Sequence, residues 1–245
     1  LTAPAGTPER SARLSFATGS TGEYVPGAGS RYFAADGSGR LIGSDHIITG
    51  TARFNFARAA MGDSPLLGDL SGAPGSVIAR QARDGAASRN SSAQYTLGGS
   101  IVYSPSARLS HTLVVGVDGY RLASRLEPGI RRLLSDSDAA GDSPVGGDRF
   151  SFRASTQWRA IDSADLKASL GFGFEQSMLR EYTWLDGIYP GDFGPSTRLS
   201  NTESTSGFLT RLDASLLDVL HLSAGMRIEA NDDFGPDWGF QKLPL

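Results

Sequence analysis

Residues 150–159 read FSFRASTQWR, and the order of those ten side chains decides the fold. Phe150, Phe152, Ala154, Thr156 and Trp158 occupy alternate places, with Ser151, Arg153, Ser155, Gln157 and Arg159 between them. Successive side chains of a strand point to opposite faces, so the segment is read as extended, with one apolar face and one polar face. The same pattern recurs along the chain. LKASLGFGFE (166–175) sets Leu166, Ala168, Leu170, Phe172 and Phe174 against Lys167, Ser169, Gly171, Gly173 and Glu175. FLTRLDASL (208–216) and LHLSAGMRIEA (220–230) repeat it, and so do Ala52, Phe54 and Phe56, the series Tyr95, Leu97, Gly99, Ile101 and Tyr103, and the run Leu113 to Leu122. A weaker member covers Ala12, Leu14 and Phe16.

These segments run to about 10 to 12 residues, whereas soluble strands cluster near 5 or 6 and strands tilted across a bilayer need roughly 9 to 11. Their connections alternate in length. Short links fall at 104–110, 161–165 and 217–219, and long polar ones at about 61–92, 123–148 and 178–205. Outer-membrane barrels carry that asymmetry, with short periplasmic turns and long outer loops. Tyr103 and Trp158 close their strands just before a short link, where an interfacial aromatic belt would stand; ordinary core packing is the competing account. Between residues 19 and 48 the parity needs a further strand. A hairpin of 31–35 and 40–44 about Asp36, Gly37, Ser38 and Gly39 supplies one, because those are turn-forming residues.

Composition narrows the classes. The chain has 245 residues, no cysteine and a net charge of -3, which excludes disulfide scaffolds, thiolate metal sites and a basic nucleic-acid stripe. Its 31 glycines and 12 prolines indicate many turns, while the evenly spread apolar residues argue against disorder. The longest apolar run, about Leu113 to Val117, is far short of the roughly 20 residues of a spanning helix. Strands therefore have to do any spanning. In hydrocarbon a spanning sheet must satisfy every backbone group internally and close on itself. The near absence of charge on the apolar face has a cause, since Arg or Lys at mid-bilayer costs about 2 to 4 kcal/mol. The expected fold is all-β: an antiparallel transmembrane barrel wall, incomplete, with about eight or nine strands of a larger barrel and long extracellular loops. Residues 1–245 are expected to form one such unit, and the absence of a leader at Leu1 and the apolar start at Leu245 suggest a piece cut from a longer chain.

Ala224 to Gly235, reading AGMRIEANDDFG, resembles the strand and loop opening of TonB-dependent receptors. LVVGVDGYRL at 113–122 is similar to another strand of those barrels, and Trp238, Gly239 and Phe240 followed by 242–245 resemble the approach to the next strand in the SusC/RagA-like branch. The resemblance covers most of residues 44–245. It implies a bacterial outer-membrane importer of a scarce nutrient, such as an oligosaccharide, peptide or metal chelate, built on a barrel of about 22 strands. It also implies a plug domain and TonB box upstream, the TonB complex and membrane lipid as partners, and, in that branch, a SusD-like surface lipoprotein. The chain itself shows no plug and no TonB box. Two other readings stand beside it: a plug-less porin-type barrel, and a secreted carbohydrate-binding or adhesin β-sandwich.

Catalytic patterns are poor, and no catalytic residue, metal ligand or cofactor is expected. His46, His111 and His221 have no ligand spacing with one another, and His221 falls on a polar strand face. Asp192-Phe193-Gly194 and Asp233-Phe234-Gly235 mimic a kinase triplet without its companion motifs. Asp136, Asp138 and Asp142 start like a calcium loop, but Gly147 stands where the final Glu is needed. For ligand binding the candidates are Tyr182, Trp184, Asp186, Tyr189 and Asp192, with Phe193 beside them, taken as an outer loop whose rings would stack on sugars and whose carboxylates would accept hydroxyl hydrogen bonds. A self-packed loop is the plainer account.

Overall fold

A computed structural model describes residues 1–22, 28–61, 88–125, 142–185, 197–217, 219–231 and 241–244. It holds eleven strands: β1 (Thr2–Gly6), β2 (Arg10–Thr21), β3 (Gly29–Ile42), β4 (His46–Met61), β5 (Ser88–Ser106), β6 (Leu109–Arg125), β7 (Asp142–Asp162), β8 (Leu166–Leu185), β9 (Thr197–Leu216), β10 (Leu220–Asn231) and β11 (Gln241–Pro244). They form one antiparallel sheet in chain order, each strand bonded to its sequence neighbours. No helix of the described residues is long and apolar enough to cross a membrane.

The register aligns the alternations found in the sequence. Phe174 of β8 lies opposite Ala154 of β7 and Phe208 of β9, and Phe208 lies opposite Ile228 of β10. Ala154 faces Leu113 of β6, which faces Ile101 of β5, then Ile48 of β4 and Leu41 of β3. One apolar face thus runs unbroken from β2 to β10. Its aromatic members touch across strands: the Phe174 and Phe208 rings lie 4.8 Å apart, and the Phe152 and Phe174 rings 6.1 Å. Yet none of the described residues covers them. Phe172 and Phe208 are each 52% exposed and Leu222 is 62% exposed, and no large side chain among the described residues is fully buried. A sandwich would have packed this face on a second sheet; here the sheet is a single layer.

Three details depart from the sequence reading. The ladder continues past the apolar band into residues where both faces are polar, as in SRNSSA at the start of β5. Alternation of hydrophobicity stops there, but backbone pairing does not, so much of the expected long loops is strand. β7 reaches 21 residues and β8 and β9 reach 20 each. Secondly, the Asp36–Gly39 hairpin is absent. β3 runs straight through those residues, paired residue for residue with β2 on one side and β4 on the other. Two complete ladders satisfy its donors and acceptors, which a hairpin would have left for other partners. Thirdly, alternation counts eight or nine strands, and the ladder adds β1 and β11, of 5 and 4 residues, too short to show a period.

At the short-turn end, β3 and β4 join through 43–45, where the His46 ring Nδ1 lies 2.8 Å from the Asp45 carboxylate. That hydrogen bond, above all, holds the Asp45 carboxyl below its ordinary value of 3.8. A carboxyl lowered by folding adds stability above its unfolded value and loses it as pH falls through the folded one. Asp45→Asn is therefore expected to remove a small acid-sensitive increment. In paired unfolding titrations from pH 5 downward, the difference between the wild type and the variant should shrink, and a constant difference would refute the account.

Candidate functional site on the polar face

Every second residue faces away from the apolar surface, and these residues make a charged wall. On β7 to β10 its centre is an ion-pair chain. Arg153 Nε of β7 donates to Glu175 Oε1 of β8 at 2.6 Å, Arg227 Nη1 of β10 reaches Glu175 Oε2 at 3.3 Å, and Arg227 Nε donates to Glu229 Oε2 at 2.9 Å. Glu175 is the hub, with a side chain only 19% exposed. β9 lies between β8 and β10, so the Arg227–Glu175 contact has to cross it. It does so over Gly207, whose neighbours in register are Glu175 and Glu229. A Cβ built on Gly207 would stand 3.5 Å from Arg227 Nη2, so alanine fits and anything longer lies in the guanidinium's path.

Gly207→Leu should therefore break the cross-strand link and lower the stability read from urea unfolding as far as Arg227→Ala does, by about 1.5 kcal/mol, the lower end for a charged hydrogen bond. Gly207→Ala should leave it within error. Equal stability of the Leu and Ala variants would show that the saddle is unimportant.

Charge pairs continue above and below this chain. Towards the short turns, Arg211 Nε donates to Asp213 at 2.9 Å and Ser223 Oγ donates to the same carboxylate at 2.9 Å. Arg159, Lys167 and His221 join them around a concavity of about 640 Å³. Towards the long connections, Arg149 Nε donates to Asp118 at 3.0 Å, and Tyr120 donates its hydroxyl to Glu181 at 3.3 Å. Hydroxyls fill the thinner places, as between Thr49 and Ser100 at 2.7 Å. Ionised side chains keep their water unless paired; this face is suited to line an aqueous lumen.

The sequence candidates fall differently. Tyr182 and Trp184 lie in β8, opposite Ser200 and Arg198 of β9, and not in a loop, and Tyr182 shares the side of the sheet that carries Met178 and Phe174. Asp186, Tyr189, Asp192 and Phe193 lie outside the described residues, as do Asp233 and Phe234, Asp136 and Asp138. His221 stands on the polar face, opposite Ser215. His46 and His111 stand on the apolar side at the short-turn end with Tyr103, whose ring is stacked 6.3 Å from His111. Trp158 ends the same side of β7 opposite Leu109. Among the described residues no group of three or more His, Cys, Asp or Glu could hold a metal ion. The Glu175 hub escaped sequence reasoning as a unit: Arg153, Glu175, Arg227 and Glu229 read as polar-face residues of separate strands, and only the register brings them together.

No family model and no curated protein matches the sequence. Solved structures do match in fold. The RagAB peptide importer in its open-open state aligns with a TM-score of 0.69 over 99% of this chain at 13% identity. The outer membrane transporter YddB from Escherichia coli aligns at 0.63 over 96% of this chain at 12% identity. The ferric enterobactin receptor PfeA from Pseudomonas aeruginosa aligns at 0.63 over 99%, again at 12% identity. The chain spans about a third of each of those structures, 32%, 33% and 37% of their lengths. A single-layer antiparallel sheet, apolar on one side and ion-paired on the other, has here the fold of the barrel wall of TonB-dependent outer-membrane receptors.

Proposed function

We propose that this chain is a stretch of the barrel of an outer-membrane importer of the TonB-dependent type, with its apolar side against lipid and its ion-paired side against a plugged, water-filled lumen. The observation that carries this reading is the uncovered apolar face of a sheet whose other face is polar and carries ion pairs across β7 to β10. In plain water such a face, continuous over nine strands, would drive association; in a bilayer it is the required surface. The sandwich reading lacks its second sheet. In the importer reading, residues 1–245 are one part of the barrel, and the plug and TonB box precede it in the full-length protein. The TonB complex supplies the energy, a surface lipoprotein of the SusD type is a further partner, and the nutrient is held by the plug and the outer connections, including residues 186–193. The neighbouring structures carry peptides and ferric siderophores by name, which makes those two classes the first to try.

The deciding experiment uses the full-length gene. Cells that carry it, with and without the TonB complex, are tested for growth on small peptides as sole nitrogen source and on ferric siderophores as sole iron source. Uptake that requires both the gene and the complex supports the importer. Passive, complex-independent permeation from a full-length product without a plug-sized upstream domain would establish the porin reading instead.

A further inference from the structure

The apolar columns end in a pattern of their own. Followed from the short turns towards the long connections, the outward column of β3 passes Gly37, Ala35 and Phe33 and meets its first charged residue at Arg31. The first charged residue of the outward column is Arg58 on β4, Arg89 on β5, Arg121 on β6 and Arg180 on β8. Pairing confirms the shared side: Arg31 lies opposite Arg58, and Arg121 stands in the row of Phe33, Phe56 and Ala93. All five are exposed. Between them and the short turns, β3 to β6 and β8 present no Asp, Glu, Lys or Arg outward, and β7 presents Asp148, opposite Arg180.

Four of the five stand at similar heights, and Arg89 stands higher. Counted from the short-turn end of its strand, Arg31 is 11 residues up (42 less 31), Arg58 12 (58 less 46), Arg121 12 (121 less 109), Arg180 14 (180 less 166) and Arg89 17 (106 less 89). Twelve residues at about 3.3 Å each make about 40 Å along a strand, or about 30 Å of height at the tilt of a membrane barrel. That is the thickness of the hydrocarbon layer, so Arg31, Arg58, Arg121 and Arg180 stand near its outer edge and Arg89 above it. Charge compensation separates them from the inner wall. Arg149, Arg153, Arg211 and Arg227 each have a carboxylate within 3.3 Å, whereas among the described residues none of the five outward arginines has one. The nearby outward carboxylate of Asp148 accepts the Tyr95 hydroxyl, with Gly119 leaving room for the contact. Near the opposite edge the columns of β5 to β7 carry Tyr103, His111 and Trp158.

We propose that Arg31, Arg58, Arg89, Arg121 and Arg180 form a docking belt for phosphorylated lipid headgroups of the outer leaflet, an inference that rests on the membrane-wall reading above. A planar guanidinium matches a phosphate with two parallel hydrogen bonds, and arginines without carboxylate partners at the height of the headgroups are poised to do so. The pairing orients the wall, since over β3 to β8 the outward arginines lie at one edge of the apolar band.

The test uses the full-length protein reconstituted in vesicles of phosphatidylcholine doped with bisphosphorylated lipid A or with its dephosphorylated form, and measures lipid retained per barrel after mild detergent extraction. The wild type is expected to retain at least fivefold more of the phosphorylated lipid, and Arg31→Gln/Arg58→Gln/Arg121→Gln to lose most of that preference while keeping heat-modifiable gel mobility. The corresponding triple Lys variant should retain an intermediate preference. Equal retention of the two lipids by the wild type overturns the belt even if the triple variant fails to assemble. Full displacement by millimolar inorganic phosphate also overturns it, by showing a site for a soluble anion. A wild type that enters neither vesicle refutes the membrane wall itself, a separate and recognisable failure.

Discussion

Phe172→Arg is expected to abolish membrane assembly of the full-length protein, and Ser155→Arg to leave it intact. The two positions lie at one level of the sheet: Ser155 of β7 is opposite Gly173 of β8, the residue next to Phe172. They differ in face. Phe172 is on the outward side, 52% exposed, and six residues beyond Leu166, where β8 begins. At about 3.3 Å per residue and a tilt near 45°, that is about 14 Å up, close to the middle of the apolar band. An arginine there costs about 2 to 4 kcal/mol in lipid, to which the lost burial of the phenyl ring adds. At Ser155 the same side chain would enter the polar lumen beside Thr112 and Gly173. Heat-modifiable mobility after refolding into vesicles reads both results. Assembly of the two variants in equal yield would mean that the apolar side does not meet lipid.

The second large effect concerns Glu175. Glu175→Ala leaves Arg153 and Arg227 without the carboxylate they share, and the expected loss is about 1.5 to 3 kcal/mol, the range for hydrogen bonds to charged groups. Full burial would raise that figure and full exposure would erase it; the Glu175 side chain is 19% exposed, Arg227 29% and Arg153 60%. Most of the loss should therefore travel through Arg227. Double-mutant cycles in urea unfolding of the refolded protein separate the two arms. The Glu175–Arg227 coupling should exceed the Glu175–Arg153 coupling, and both should weaken in 1 M salt, where the screening length falls to about 3 Å. Additive effects in both cycles would reduce the ion-pair chain to a coincidence of side-chain placement. Glu175→Gln, which keeps the size and one acceptor, should recover part of the loss.

Much of the fold was legible because a half-wetted strand writes its two environments into alternate residues. FSFRASTQWR and LKASLGFGFE name both the strand and its face, and the pairing of Ala154 with Phe174 follows once the turn between them is short. Legibility failed where the two environments are alike. Above the apolar band both faces of β5 and β9 meet water, so SRNSSA and the start of β9 have no period and read as loop. At Asp36–Gly39 local turn chemistry favoured a hairpin, and ladder bonds from two neighbouring strands overrode it. The candidate ligand residues illustrate the same limit, since Tyr182 proved to belong to a strand that polar surroundings had disguised.

By itself, the sequence determined that this chain is made of long strands with one side for lipid and one for water, because solvent acts on each residue separately and leaves its mark residue by residue. The tertiary structure decided what those residues do together. Glu175 joins Arg153 and Arg227 only because β7, β8, β9 and β10 lie side by side in one register and Gly207 leaves the crossing open. Arg31, Arg58, Arg89, Arg121 and Arg180 become a belt only because five separate strands carry them to the same edge of the apolar band. Register and height are properties of the hydrogen-bonded sheet, set by the sum of many pairings, and no single segment of the chain contains them.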